Sequence, residues 1–424
     1  MTRQQELAAL LEALQTVPPA LSGTAKRAKA RAKRRRFGVS LGSLAAAAAA
    51  FVIVVNTMPT VALACGRIPV LRELAAAVAF SPSLSEAVRH DYVQYVGQSR
   101  TVNGVTVTLE TVIADQQQLI GFYRTDLPDA ETSAVCDISG EDVPHFSTVS
   151  SYSGEVLRSF TILCQDAPLP ETFTLSLTLL AAGEEEGHTE IDGSFDFTLH
   201  LDPEKTAAST TVEVGRAVEL DGQTLRVEQV VFTPTRTALY LSGDAANTAT
   251  LEALDFHFLG PDGTVYDAVD GDVSAIGTPD EAGFYTYYCQ SLFFLEDPAA
   301  LTLVIEQAQW RSKDAAPITV NLIDGSFQGI LPEGVTALWV EKNRETPVLM
   351  VETTGTKMPF TSYLGESGPE SLLLRGGVSQ IDEGETRRYA YPLEGYEEDT
   401  IALLPDFTHQ SVPEPPLALP LGQS

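Results

Sequence analysis

The sequence predicts a mainly β fold: tandem immunoglobulin-like antiparallel β-sandwich domains outside the membrane, preceded by a short cytoplasmic helix, one transmembrane helix and a juxtamembrane helical segment. Three observations predict it. A run of cations abuts an apolar stretch near the N-terminus. From about Tyr92 the hydrophobic period falls to two, with Gly, Pro and Asp separating short runs. One stretch of that β pattern then recurs 118 residues further on.

The cytoplasmic piece comes first. Leu7, Leu10, Leu11 and Leu14 fall at i, i+3, i+4 and i+7, one stripe of a helix that stops before Pro18-Pro19. A helix of about 13 residues is marginal alone in water, and no core of this chain lies beside the stripe. It reads either as a face that binds a protein partner or as a half-formed helix resting on the membrane.

Lys26, Arg27, Lys29, Arg31, Lys33, Arg34, Arg35 and Arg36 fill eight of the next eleven positions, directly before Phe37–Val55. That apolar stretch, FGVSLGSLAAAAAAFVIVV, is nineteen residues long, and no charge follows it until Arg67. At about 1.5 Å per residue it crosses a hydrocarbon core of about 30 Å. Cations on its near side place the N-terminus in the cytoplasm and the bulk of the chain outside the cell membrane, in a single pass. The same cations suit anionic lipid headgroups, and their adjacency to the span favours an anchor over a nucleic-acid site. A second reading stays open, because Ala62-Leu63-Ala64 before Cys65 has the form of a signal-peptidase site. Against it, 36 residues precede the apolar run, more than a whole signal peptide of about 15–30.

Charge separates the two sides. The net charge is −30, yet nine of the 27 Lys and Arg and only two of the 57 Asp and Glu lie in residues 1–36. So acidic a body argues against a polyanion-binding face, and no nucleic acid is expected as a partner. With 44% hydrophobic residues the chain has material for several cores.

Outside the membrane, Ile68–Ala79 and Ser81–His90 read as two short helices, the second opened by Ser81-Pro82. Then Val105, Val107 and Leu109 alternate with Thr106, Thr108 and Glu110 behind the hairpin signal Asn103-Gly104. In the recurrence, Val96, Gly97, Gly104, Thr106, Glu110 and Val112 match Val214, Gly215, Gly222, Thr224, Glu228 and Val230. Ile191-Asp-Gly-Ser-Phe195 likewise matches Ile323-Asp-Gly-Ser-Phe327, and each domain is expected to close on that strand start. The organisation expected is a cytoplasmic helix and basic run over 1–36, a transmembrane helix over 37–58 and a juxtamembrane linker over 59–91. Sandwiches follow over 92–205 and 206–328, then a small β unit over 329–411 or strands added to the second sandwich, then a Pro-rich tail over 412–424.

The run Asn56-Thr-Met-Pro59, then Ala62, Ala64, Ile68-Pro69 and Ser81–Arg124 with Asn103-Gly-Val-Thr-Val-Thr-Leu-Glu110, resembles the Gram-positive membrane family called domain of unknown function 4179. Residues 212–325, with Leu254–Val265 and Phe294–Ile305, resemble the β domain that often follows it. The resemblance implies an anti-sigma-like or envelope-stress protein, with a sigma factor as cytoplasmic partner and an outer part that senses an extracellular ligand. It carries over no catalytic residues.

Chemistry is sparse. No H-E-x-x-H, G-x-S-x-G, P-loop or G-x-G-x-x-G occurs, and the six histidines are scattered, so no enzyme, cofactor or metal is expected. Asp267, Asp270 and Asp272 fit no EF-hand spacing and read as a solvated turn. Cys136 and Cys164 share a domain and are candidates for a disulfide, whereas Cys289 reads as a small buried hydrophobe. Two functions follow: a membrane regulator whose leucine stripe holds a sigma factor, or a tethered adhesion or wall-binding module whose N-terminus only sets topology.

Overall fold

The computed structural model describes Leu74, Val78 and residues 81–127, 132–150, 157–164, 167–182, 188–267, 284–341, 346–354, 358–364, 371–373, 379–383, 386–393, 396 and 398–422. The leucine stripe, the basic run, Phe37–Val55, Cys65, Glu184–Glu186 and Asp270–Asp272 lie outside them. Among the described residues no helix is long and apolar enough to cross a membrane. The chain divides into two compact units, residues 1–79 with 84–207, and residues 80–83 with 208–424.

In the first unit, helix α1 (Pro82–Arg89) leads into β1 (Val93–Val102), β2 (Val105–Ala114), β3 (Gln118–Thr125), β4 (Thr132–Ser139), β5 (Phe146–Ser150), β6 (Arg158–Cys164), β7 (Thr172–Ala182) and β8 (His188–His200), with a single turn α2 (Pro203–Thr206) behind. Two antiparallel sheets form, ordered β1-β2-β3-β6-β5 and β4-β7-β8. Their facing side chains, among them Leu109, Tyr123, Phe160, Leu175, Leu177, Phe195 and Phe197, make one core. Strand β3 is buried on both faces over its first six residues. The reason lies outside the sandwich: Leu84 and Ala87 of α1, with Leu74 and Val78, cover Ile113, Ile120 and Phe122 on the outer face. Val78 N–H donates to the Leu74 carbonyl at 2.9 Å, one turn of the expected preceding helix.

The second unit opens with β9 (Thr210–Leu220), β10 (Gln223–Phe232), β11 (Thr237–Gly243), β12 (Ala249–Leu259), β13 (Val265–Asp267), β14 (Phe284–Cys289) and β15 (Thr302–Ser312). One sheet runs β14-β11-β10-β9, and the other has β13, β12 and β15 in that order. The recurrence in the sequence is a recurrence of backbone shape. Asn103-Gly104 and Asp221-Gly222 both hold positive φ at both positions, the two-residue turn that right-handed strand twist favours. Val96 and Gly97 stand opposite the single Glu110, and Val214 and Gly215 opposite the single Glu228, so both hairpins carry the same bulge. Gly97 and Gly215 supply its left-handed residue, with φ of 58° and 59°. The matched glycines are therefore those that the turn and bulge require.

The chain then leaves the second sandwich. Strands β16 (Ile318–Asn321), β17 (Phe327–Gln328), β18 (Val335–Glu341), β19 (Val348–Thr353), β20 (Phe360–Leu364), β21 (Ser371–Leu373), β22 (Ser379–Glu383), β23 (Thr386–Pro392) and β24 (Thr400–Pro405) build a third sandwich. Its sheets are β17-β16-β24-β20-β21 and β18-β19-β23-β22, packed over Ile318, Val320, Leu349, Val351, Phe360, Tyr389, Tyr391 and Leu403. Afterwards the chain returns: β25 (His409–Ser411) and β26 (Leu417–Pro420) both pair with β15, and Leu419 and Leu421 enter the second core.

The third sandwich is thus an insertion between β15 and β25, and two expectations change. The boundaries drawn at 328, 411 and 412 do not follow the strands, because 318–328 belongs to the third sandwich and the Pro-rich tail completes the second. The motif Ile-Asp-Gly-Ser-Phe closes only the first domain, inside β8. Its second copy forms the turn from β16 to β17, because the place beside β15 is already filled.

Candidate functional site

Both sequence-predicted functional segments, the stripe Leu7/Leu10/Leu11/Leu14 and the cations Lys26 to Arg36, lie outside the described residues. The cysteines are described, and the disulfide expected between Cys136 and Cys164 is not formed: both are buried free thiols, as is Cys289. The strand register gives the reason. Cys164 N–H donates to the Gln117 carbonyl, at the start of β3, whereas Cys136 lies close enough to Tyr123, near the other end of β3, to act on its phenol. Six residues of strand span on the order of 20 Å, and a disulfide needs Cα atoms within about 7 Å. Burial pushes the Cys136 thiol up to about 12, so it stays protonated and unreactive at neutral pH.

Among the described residues, one polar grouping lies in the second unit, where the chain returns from the inserted sandwich. Arg311 of β15 reaches Glu252 of β12 at 2.8 Å. Asp406, just beyond β24, accepts a hydrogen bond from Thr361 Oγ1 at 2.9 Å and feels the same guanidinium. Thr408 follows, its N–H and hydroxyl both donating to the Trp310 carbonyl at 2.7 and 3.0 Å. Burial raises both carboxyls above their usual range, and it outweighs Arg311 at Glu252 and the Thr361 hydrogen bonds at Asp406. One cation thus acts on two partly buried acids, whose protonation follows pH.

The sign of its pH dependence follows. A carboxyl whose folded pKa lies above its unfolded value of about 4 contributes stability at low pH that is lost as pH rises through the folded pKa. Asp406→Asn, which keeps an acceptor for Thr361, is expected to be more stable than wild type at pH 7. The difference should shrink towards pH 4, as read by paired thermal melts.

In the first unit, Gln116, Leu169, Glu171, Leu201, Pro203 and Thr206 line a depression of about 180 Å³, smaller than the ~300 Å³ at which ligand pockets begin. Among the described residues no group of His, Cys, Asp or Glu is placed to hold a metal. The joint at Arg311 had no sequence signal: its acids look like any others in so acidic a chain, and their partners lie far apart in sequence.

Comparison with known proteins adds the following. The model of a domain of unknown function, DUF4179, matches residues 33–126, and that of a family of unknown function, DUF5643, matches residues 209–332. Among solved structures, a conserved domain protein from Bacillus anthracis is similar at 15% identity, over 54% of this chain and 82% of that chain, with a TM-score of 0.41. A marsupial T cell receptor is similar at 9% identity, over 69% of this chain and 89% of that chain, with a TM-score of 0.15. At such scores neither likeness carries an argument. No curated protein matches the chain.

Proposed function

We propose, from the DUF4179 match over residues 33–126 and the DUF5643 match over 209–332, that this protein is a single-pass membrane regulator of the anti-sigma type. Its N-terminal helix binds a sigma factor in the cytoplasm, and its β-sandwiches bind or sense an extracellular ligand. The observation that carries the reading is the extent of the DUF4179 match. It begins at residue 33 inside the basic run, takes in Phe37–Val55 and ends at residue 126 beyond β3. The end of the basic run, Lys33–Arg36, the apolar stretch and the first three strands thus fall within one family match, which supports reading them as one functional segment. The cations set topology and rest against anionic headgroups.

The leucine stripe is the contact with the partner. Four leucines at helical spacing gain about 1.5–3 kcal/mol each on burial, enough to order a marginal helix in an apolar groove. Full-length protein is expected to co-purify with a sigma factor, and Leu10→Asp with Leu11→Asp to release it, since two charges would enter the contact. Retention of the factor by that variant, or capture of anionic vesicles alone by wild type, would leave the tethered outer module as the function. Protease added to wall-stripped cells should digest the sandwiches and spare residues 1–36. A secreted product beginning at Cys65 would contradict the anchor.

A further inference from the structure

The chain carries two strands for one place beside β15. In the first sandwich the corresponding edge, on β7, is taken by β8, which contains Ile191-Asp-Gly-Ser-Phe195 and buries Phe195, Phe197 and Leu199 in the core. The second copy, Ile323-Asp-Gly-Ser-Phe327, stands at nearly the same distance behind its own strand: eleven residues after β15 ends, against nine after β7 ends. The DUF5643 match closes at 332, just beyond this copy and well short of β25 and β26. Yet His409–Ser411 and Leu417–Pro420 hold the place. In and just behind that copy, Ile323, Phe327 and Ile330 are 57%, 38% and 92% exposed, whereas Phe195 is fully buried.

We propose that the edge of β15 away from β12 accepts either of two strands of this chain, residues 323–331 or the C-terminal pair β25 and β26, and that the second sandwich is closed by strand exchange between them. The inference holds whatever the cytoplasmic segment binds. The two closed states are not equivalent. For 323–331 to reach β15, residues 313–322 must become a hairpin loop, which withdraws Ile318, Val320 and Leu322 from the third core, where all three are buried. Closure by the C-terminus keeps both sandwiches whole, which is why it holds the place in this structure. Occupancy of one edge is thereby coupled to the integrity of the third sandwich, and whatever loosens the C-terminal pair is answered by a rearrangement of that sandwich.

Hydrogen exchange on the full chain tests this. Leu419→Asp with Leu421→Asp places charges in the second core and weakens the C-terminal pair. Residues 302–312 are then expected to keep their protection, amides of 323–331 to exchange at least tenfold more slowly than in wild type, and residues 400–405 to exchange faster as β16 leaves β24. Adding Phe327→Asp to that variant should abolish the gain and release 302–312. Rapid exchange throughout 302–331 in the first variant would overturn the proposal. So would protection of 302–312 that survives Phe327→Asp, or loss of protection across all of 209–312 before Phe327 is changed.

Discussion

Trp310→Ala is expected to destabilise the second sandwich by about 3–5 kcal/mol, the range for removing a large aromatic from a packed core. Trp310 is wholly buried and sits on β15 between Leu251 of β12 and His409 of β25. Its indole N–H donates to Ser411 Oγ at 2.9 Å, and its carbonyl accepts from Thr408 twice. The substitution opens a cavity and loosens the returning chain at once. For a cooperative unit of 150–250 residues the loss corresponds to a fall in melting temperature of roughly 6–20 °C. Exchange protection over 209–312 and 409–421 should drop while that over 93–200 is unchanged. Trp310→Phe, which keeps most of the volume and loses only the N–H, should be milder. A cost below about 1 kcal/mol for alanine would mean that the β15 face is not the packed interior described.

Gly121→Ala is the second large effect, and it works by overfilling. Gly121 of β3 pairs with Phe160 of β6, and a β-carbon on it would stand 2.1 Å from the tip of the Phe160 ring. Phe160 is buried beside Tyr123, their ring centres 6.2 Å apart, so the ring must move within a packed core to make room. About 1–3 kcal/mol is expected, towards the upper end because a whole ring is displaced. The two positions should also couple: in a Phe160→Ala background the same methyl enters empty space, and its cost should fall or change sign. Additive losses in equilibrium denaturation would show that the ring does not cover the glycine.

What the sequence made legible was local. Asn103-Gly104 and Asp221-Gly222 could be read as turns because positive φ at two successive positions restricts the residues allowed. The repeat was visible in part for the same reason, since a left-handed glycine recurs where that bulge recurs. The period of two over Val105–Glu110 followed from one buried face. The end of the second sandwich was not legible. A Pro-rich segment reads as a tail, and β26 offers four paired residues to a strand more than a hundred positions earlier; nothing in a short window registers such a contact. The second Ile-Asp-Gly-Ser-Phe was misread because a motif reports what its own residues can do and not which strand has reached the neighbouring edge. The Cys136 and Cys164 pairing failed because sharing a domain says nothing of height along a strand.

An inserted sandwich is tied to its host by two crossings of the chain, after Ser312 and before His409. Domains strung in series separate when the linker between them is cut. Here a cut in any loop of the third sandwich leaves each half attached to the second, one through β15 and the other through β25, β26 and the buried Leu419 and Leu421. A protease that nicks this region therefore sheds nothing at first; the cut ends stay seated, and release of the C-terminal piece waits until β26 comes away.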